Sequence, residues 1–140
     1  MKYLIIAAAA ALAASAAPAS AYTNAFPTTA VYMRSGPDLA YPPVLMLPRG
    51  APVVVYGCLG GWQWCDASYG AYRGWVAGAY LQAYYQSRPM PFYYAAPRYH
   101  VPIVTFQFGP YWDSHYRGRT WYRQRDHWSR WDYHGRRWHR

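Results

Sequence analysis

Residues 52–68 read PVVVYGCLGGWQWCDAS, and the fold follows from them. Pro52 to Cys58 is β-branched and apolar, with Val53 and Val55 on one face of an extended strand and Val54 and Tyr56 on the other. Gly60-Gly61 is a hairpin turn signal, and Trp62 to Ser68 is the returning strand. Working outward, Val31-Tyr32-Met33-Arg34 alternates and reads as a strand with Val31 and Met33 inward. Ser35-Gly36-Pro37-Asp38 stops it, and a loop runs through Tyr41-Pro42-Pro43. Val44 to Leu47 is a short apolar segment ended by Pro48-Arg49-Gly50. Tyr69-Gly70-Ala71-Tyr72 turns the chain again into Arg73-Gly74-Trp75-Val76. Ala77 to Leu81 is compatible with one helical turn before a last residue or two of sheet. Strands this short, spaced by turns at about ten residues, predict a small all-β barrel. A core of about 60 residues buries only about 60% of its unfolded surface and is marginal on its own.

The same segments carry a family resemblance. Met33-Arg34-Ser35-Gly36-Pro37, then Tyr41-Pro42, then Leu47-Pro48-Arg49-Gly50 resemble the opening of bacterial SH3 (SH3b) domains. Val53, Val55 and Gly57, then Gly61-Trp62, then Arg73-Gly74-Trp75-Val76 and Tyr80-Leu81 resemble the second half, and the order holds across residues 28–82. Met33 stands where valine is usual. The resemblance implies an SH3-like barrel over residues 22–87 that binds peptidoglycan cross-bridges or an extended peptide. Cys58 and Cys65 beside Gly-Trp-x-Trp-Cys resemble a disulfide-bearing, exported subgroup.

A barrel of this size cannot bury all of its aromatic side chains, and exposed ones mark binding surfaces. Trp75 is expected in the core. Trp62 and Trp64 share a strand face opposite Cys65, so both are at least partly exposed if Cys65 points inward. They divide between covering the sheet and binding ligand. Tyr41 and Tyr72, on loops, are better placed for contact. The candidate ligand residues are therefore Tyr41, Trp62, Trp64 and Tyr72. Side-chain parity across Gly57 leaves the face of Cys58 open.

Residues 1–21 read as an export leader: Met1-Lys2, an uncharged Ala-rich run from Leu4 to Ala17, Pro18, then Ala19-Ser20-Ala21 before Tyr22. Cleavage is expected between Ala21 and Tyr22. An uncleaved anchor is the alternative, though the run falls short of the roughly 20 strongly apolar residues of a span. No Cys follows the run, so lipid attachment there is not expected. The expected location is outside the cytoplasm: periplasm, cell envelope or medium. In an exported chain an even pair of cysteines suggests a disulfide, with two free thiols as the alternative. Closing that hairpin would contribute roughly 2–3 kcal/mol on the chain-entropy account. Catalysis is not expected. The chain has no Glu, its first histidine is His100, and Asp38 and Asp66 are single carboxylates near turns, whereas acid/base work needs positioned pairs. No cofactor or metal is expected.

Aromatics make up 21% of the chain and the formal net charge is +9. Lys2 is the only lysine. From Tyr111 to Arg140 there are eight Arg and three Asp, so the basic excess belongs to the C-terminal end. Residues 88–110, with five prolines among aromatics, read as an extended linker. Residues 111–140 read as a basic aromatic tail, largely disordered or weakly helical. Trp121 and Trp128, seven apart, with Trp131 near them, would share one helical face against the arginines, the pattern of a helix lying on an anionic surface. Arg117, Arg119, Arg123, Arg125, Arg130, Arg136 and Arg137 are the expected contacts to anionic lipid, lipopolysaccharide or acidic wall polymer. Nucleic acid would suit the same composition but is not the expected partner of an exported protein. Protonation of His115, His127, His134 and His139 near pH 6.5 would strengthen such binding in mild acid.

Overall fold

The computed structural model describes residues 8–11, 13 and 22–140. The leader and its Ala21–Tyr22 junction therefore lie almost wholly outside the described residues. The rest begins with β1 (Thr23–Pro27), β2 (Val31–Arg34), β3 (Pro43–Leu47), β4 (Val53–Cys58), β5 (Trp64–Tyr69), β6 (Tyr72–Ala77), β7 (Leu81–Tyr85) and β8 (Arg88–Pro91). These form one curled antiparallel sheet in the order β3-β2-β6-β5-β4-β1-β7-β8. The architecture is the small SH3-like all-β fold that the strand pattern predicts.

Alternation places the core. Val53 and Val55 of β4 and Met33 of β2 are fully buried, as are Trp75 and Val76 of β6 and Leu81 of β7. The register slips between Val55 and Gly57, a bulge that settles the parity of Cys58. Cys58 and Cys65 face each other across the β4–β5 ladder, both fully buried and joined by a disulfide. The return strand starts later than its sequence suggests. Gly60–Trp62 form a 3₁₀ turn in which Gly61 has φ 79° and Trp62 has φ 60°, so only Trp64 lies on the strand. Ala77 to Leu81 behaves as read, with a 3₁₀ turn at Gly78–Tyr80.

β1 is an element the sequence reading lacks. It pairs with β4 through Thr23, Asn24 and Ala25 and with β7 through Phe26 and Pro27. It thus joins the two ends of the barrel.

Residues 88–110 are not an extended linker, and residues 111–140 are not a disordered tail. The chain continues through α1 (Phe92–Arg98), α2 (Phe108–His115), a 3₁₀ turn (Thr120–Gln124), α3 (Arg125–Trp128) and a small hairpin of β9 (Trp131–Asp132) and β10 (Arg137–Trp138). Pro89 and Pro91 sit on β8, the sheet edge, where a missing N–H is tolerated. Phe92, Ala95, Ala96, Trp112 and Tyr116 are buried in the common core. The aromatic residues of the C-terminal region supply a second layer, and that layer relieves the surface-to-volume problem of a 60-residue barrel. Nor is there one tryptophan-striped helix. Trp121, Trp128 and Trp131 fall in three different short elements. Trp121 meets Trp112 and Tyr116, Trp128 meets Tyr41, and Trp131 meets Trp138.

Candidate binding surface

The loop between β2 and β3 is tied down locally. The Ser35 hydroxyl donates to the Pro42 carbonyl at 2.8 Å, and the Ala40 N–H donates to Asp38 Oδ1 at 2.9 Å. This folds Tyr41 flat over Gly36, where a Cβ would come 2.5 Å from the tyrosine ring, so glycine is required there. Tyr41, a candidate contact, is only 1% exposed. Its ring lies 5.7 Å from Phe106 and 5.6 Å from Trp128. Burial, then the nearby Tyr133, Asp38 and Asp132 oxygens, push its hydroxyl pKa well above the ordinary tyrosine value.

The whole aromatic face of the barrel is covered in this way. A strap of residues 101–107 runs alongside the end of β4 in a parallel bridge, where the Cys58 N–H donates to Pro102 O at 2.9 Å and the Val104 N–H donates to Cys58 O at 2.8 Å. Gly57 permits the approach, since a Cβ there would sit 2.5 Å from Val104 Cγ1. Phe106 then packs on Trp75 at 5.5 Å. From α2, the Trp112 indole N–H donates to Ser35 O at 2.9 Å, the Tyr111 hydroxyl to Asp66 Oδ1 at 2.6 Å, and the Tyr116 hydroxyl to Arg73 O at 2.9 Å. Asp66 also receives a bidentate pair from Arg73, whose guanidinium lies over the Tyr56 ring.

A groove of about 650 Å³ remains open beside this cover. Asp38, Gln63, Trp64, Ile103, His134 and Arg136 are among its walls. It therefore runs between the β2–β3 loop and the β4–β5 turn, with the strap and the C-terminal hairpin closing its far side. Ile103 is 58% exposed, and Trp64 is half-buried, as expected once Cys65 faces inward. At one end Arg136 pairs with the buried carboxylate of Asp38 at 2.6 Å. The groove thus offers an apolar wall and a polar, charged end. Asp38 reads in sequence as a turn residue and Arg136 as a surface cation. A contact spanning 98 residues leaves no local signal.

The four candidate contact residues do not converge. Tyr41 is buried. Tyr72 is exposed at the β5–β6 turn, opposite Tyr69, while Trp64 pairs with Ala77 at the other end of that ladder. Five residues of strand separate the two ends, about 17 Å. Trp62 is half-buried in the 3₁₀ turn. Of the four, only Trp64 lines the groove.

The tail arginines also divide. Arg125 holds Asp113 with two hydrogen bonds, Arg136 holds Asp38, Arg137 lies 3.5 Å from Asp132, and Arg119 donates to the Val44 carbonyl of edge strand β3. These four serve the fold. Arg117, Arg123 and Arg130 are exposed and have no ion pair among the described residues.

His115 does not fit a uniform titration of the tail. Partial burial, then the Arg73 charge, lower its pKa below 6.5, while Asp66 pulls the other way. Its neutral form is therefore favoured in the folded state. Stability from this group is present above the unfolded value of about 6.5 and is lost as pH falls from there through the lowered folded value. The urea midpoint should fall between pH 7 and pH 5, and His115→Gln should remove part of that slope. An identical slope in the variant would show that His115 has no part in it.

No helix of the described residues is long and apolar enough to cross a membrane. A family model described as bacterial SH3 domain matches residues 29–82. No curated protein and no solved structure matches the chain. The matched segment runs from just before β2 to the start of β7, and the barrel it forms is bridged by the Cys58–Cys65 disulfide. Residues 29–82 thus match the bacterial SH3 domain family, here within a longer folded unit.

Proposed function

We propose that this is a non-enzymatic binding protein of the cell envelope, exported by its N-terminal leader, whose SH3 domain contacts peptidoglycan through the groove beside Trp64. The observation that carries this reading is the position of the groove. It is the concave surface left open between the β2–β3 loop and the β4–β5 turn once the aromatic face is covered. Trp64 and Ile103 supply an apolar wall, and the Asp38–Arg136 pair with Gln63 supplies groups that suit the amides, carboxylates and amines of a wall peptide. A disulfide bridging the hairpin fits a compartment outside the cytoplasm. Exposed Arg117, Arg123 and Arg130 act as a secondary, salt-sensitive tether to anionic lipid, lipopolysaccharide or acidic wall polymer.

Deleting the tail cannot separate these roles, because the tail is part of the core. Point substitutions can. In co-sedimentation of the oxidised full chain with peptidoglycan sacculi, Trp64→Ala is expected to weaken binding about tenfold or more, the effect of an interface anchor. Replacing Arg117, Arg123 and Arg130 together is expected to weaken it only at low salt. Wild-type pelleting by Trp64→Ala would remove the groove from the account.

A structural or adaptor role, with a protein as partner, is the second reading. Its support is an exposed apolar cluster of Tyr32, Leu39, Met46 and Tyr80 around a depression of about 250 Å³. Membrane activity of an isolated tail has no such support, since Trp112, Trp121, Trp128 and Trp131 are buried or half-buried and only Trp138 of the described tail tryptophans is exposed.

A further inference from the structure

A cleft lies away from the SH3 loops, where the sheet splits. β7 stays with β1 only at Phe26 and Pro27, while Thr23, Asn24 and Ala25 of β1 turn to β4. The wedge between the diverging strands encloses about 920 Å³. Phe26 and Asn24 come from β1, Tyr84 from β7, and Tyr99 from the end of α1.

Three features define its chemistry. The first is aromatic. Phe26 and Tyr84 sit 5.3 Å apart with planes at 39°, a shallow V whose Tyr84 arm is 61% exposed. The second is rigidity. The Tyr99 hydroxyl donates to the Tyr84 carbonyl at 2.5 Å, and Tyr85 packs edge-on against Tyr99, so the Tyr99 ring is set before any ligand arrives. The third is charge. In a chain of net charge +9, no charged side chain lines this cleft among the described residues; its side-chain polar groups are Thr23, Asn24 and tyrosine hydroxyls, and cleavage after Ala21 would add only the Tyr22 amino group at its edge.

We propose that this cleft binds a neutral saccharide chain. Pyranose rings present apolar C–H faces that stack on Phe26 and Tyr84, and their hydroxyl and amide groups would bond Asn24 and Thr23. A polyionic ligand would find no charged side chain here. A proline-rich peptide offers Asn24 and Thr23 only carbonyl acceptors, whereas sugar hydroxyls both donate and accept, as the Asn24 amide and Thr23 hydroxyl do. The site itself does not depend on the wall-binding groove. Only the choice of sugar rests on the wall reading, since the backbone of peptidoglycan is a chain of N-acetylated aminosugars.

The test is titration of the oxidised full chain with the uncharged β-1,4-linked N-acetylglucosamine tetramer, followed by calorimetry or amide chemical shifts. Tyr84→Ala should weaken binding about tenfold or more, and Tyr84→Phe, which keeps the ring, less than about threefold. Tyr84 is exposed, so both variants should melt with the wild type. Affinity should be unchanged between about 0.05 M and 0.5 M salt, as the tetramer is uncharged. Trp64→Ala should bind the tetramer normally, which separates this cleft from the groove. Binding absent up to about 10 mM sugar, or unaffected by Tyr84→Ala, overturns the inference. So does a proline decamer that binds where the tetramer does not. Sugar binding without sacculus binding would sink the wall reading and leave this one standing.

Discussion

Trp112→Ala is expected to lower the stability of the protein by about 3–5 kcal/mol, the range for removing a large buried aromatic. The indole is fully buried, with its centroid 4.6 Å from Phe108 and 4.9 Å from Trp121. Its N–H satisfies the Ser35 carbonyl, which the substitution would leave buried without this donor. Trp112→Phe keeps most of the packing and loses only that hydrogen bond, so it should cost about 1–2 kcal/mol. Small domains have only about 5–15 kcal/mol in total, so the alanine variant should be close to unfolding at 37 °C. Urea denaturation measures both. A loss below about 1 kcal/mol for Trp112→Ala would mean that α2 contributes nothing to the barrel.

Arg73→Ala should cost about 3 kcal/mol, at the low end of the range for breaking a buried ion pair. Asp66 is 9% exposed and accepts two hydrogen bonds from Arg73, at 2.8 and 2.7 Å, besides that from Tyr111. Without the guanidinium its charge stays buried with one neutral partner. The loss therefore comes mainly from the stranded carboxylate, and the double variant Asp66→Asn/Arg73→Ala should recover about 1 kcal/mol or more relative to Arg73→Ala alone. If the second change only adds further destabilisation, packing of Arg73 on Tyr56 is the larger contribution. Because Tyr111 reaches Asp66 from α2, the same pair couples the SH3 domain to the segment that covers it.

How far the sequence could be read depended on the range of the contacts. Strands β2 to β6 were legible because each carries its own alternation between turn residues, as with Val53 and Val55 against Val54 and Tyr56. Inward placement of Cys65 and partial exposure of Trp64 follow from that alternation. β1 was hidden because it is five residues long and its two partners are remote in sequence. The C-terminal layer was hidden for a different reason. Its prolines and arginines are the composition of a linker and a solvated tail, and nothing local reveals that Trp112 would reach Ser35 or Arg136 would reach Asp38. Tyr41 was misplaced on the same account. In the isolated barrel it is a loop aromatic available for contact, and Phe106 and Trp128, brought from beyond residue 100, bury it. Trp64 kept its candidacy because its exposure is set by the β5 pattern alone.

The C-terminal segment is a built-in second layer of the SH3 unit and not a tail. Amide hydrogen exchange on the oxidised full chain tests it directly. Cys58, Val104 and Tyr116 should exchange slowly and together, near the rate set by global unfolding, because their N–H groups close the strap and the end of α2. Exchange of residues 101–138 at the rate of an unstructured peptide, beside a protected β4–β6 core, would contradict it.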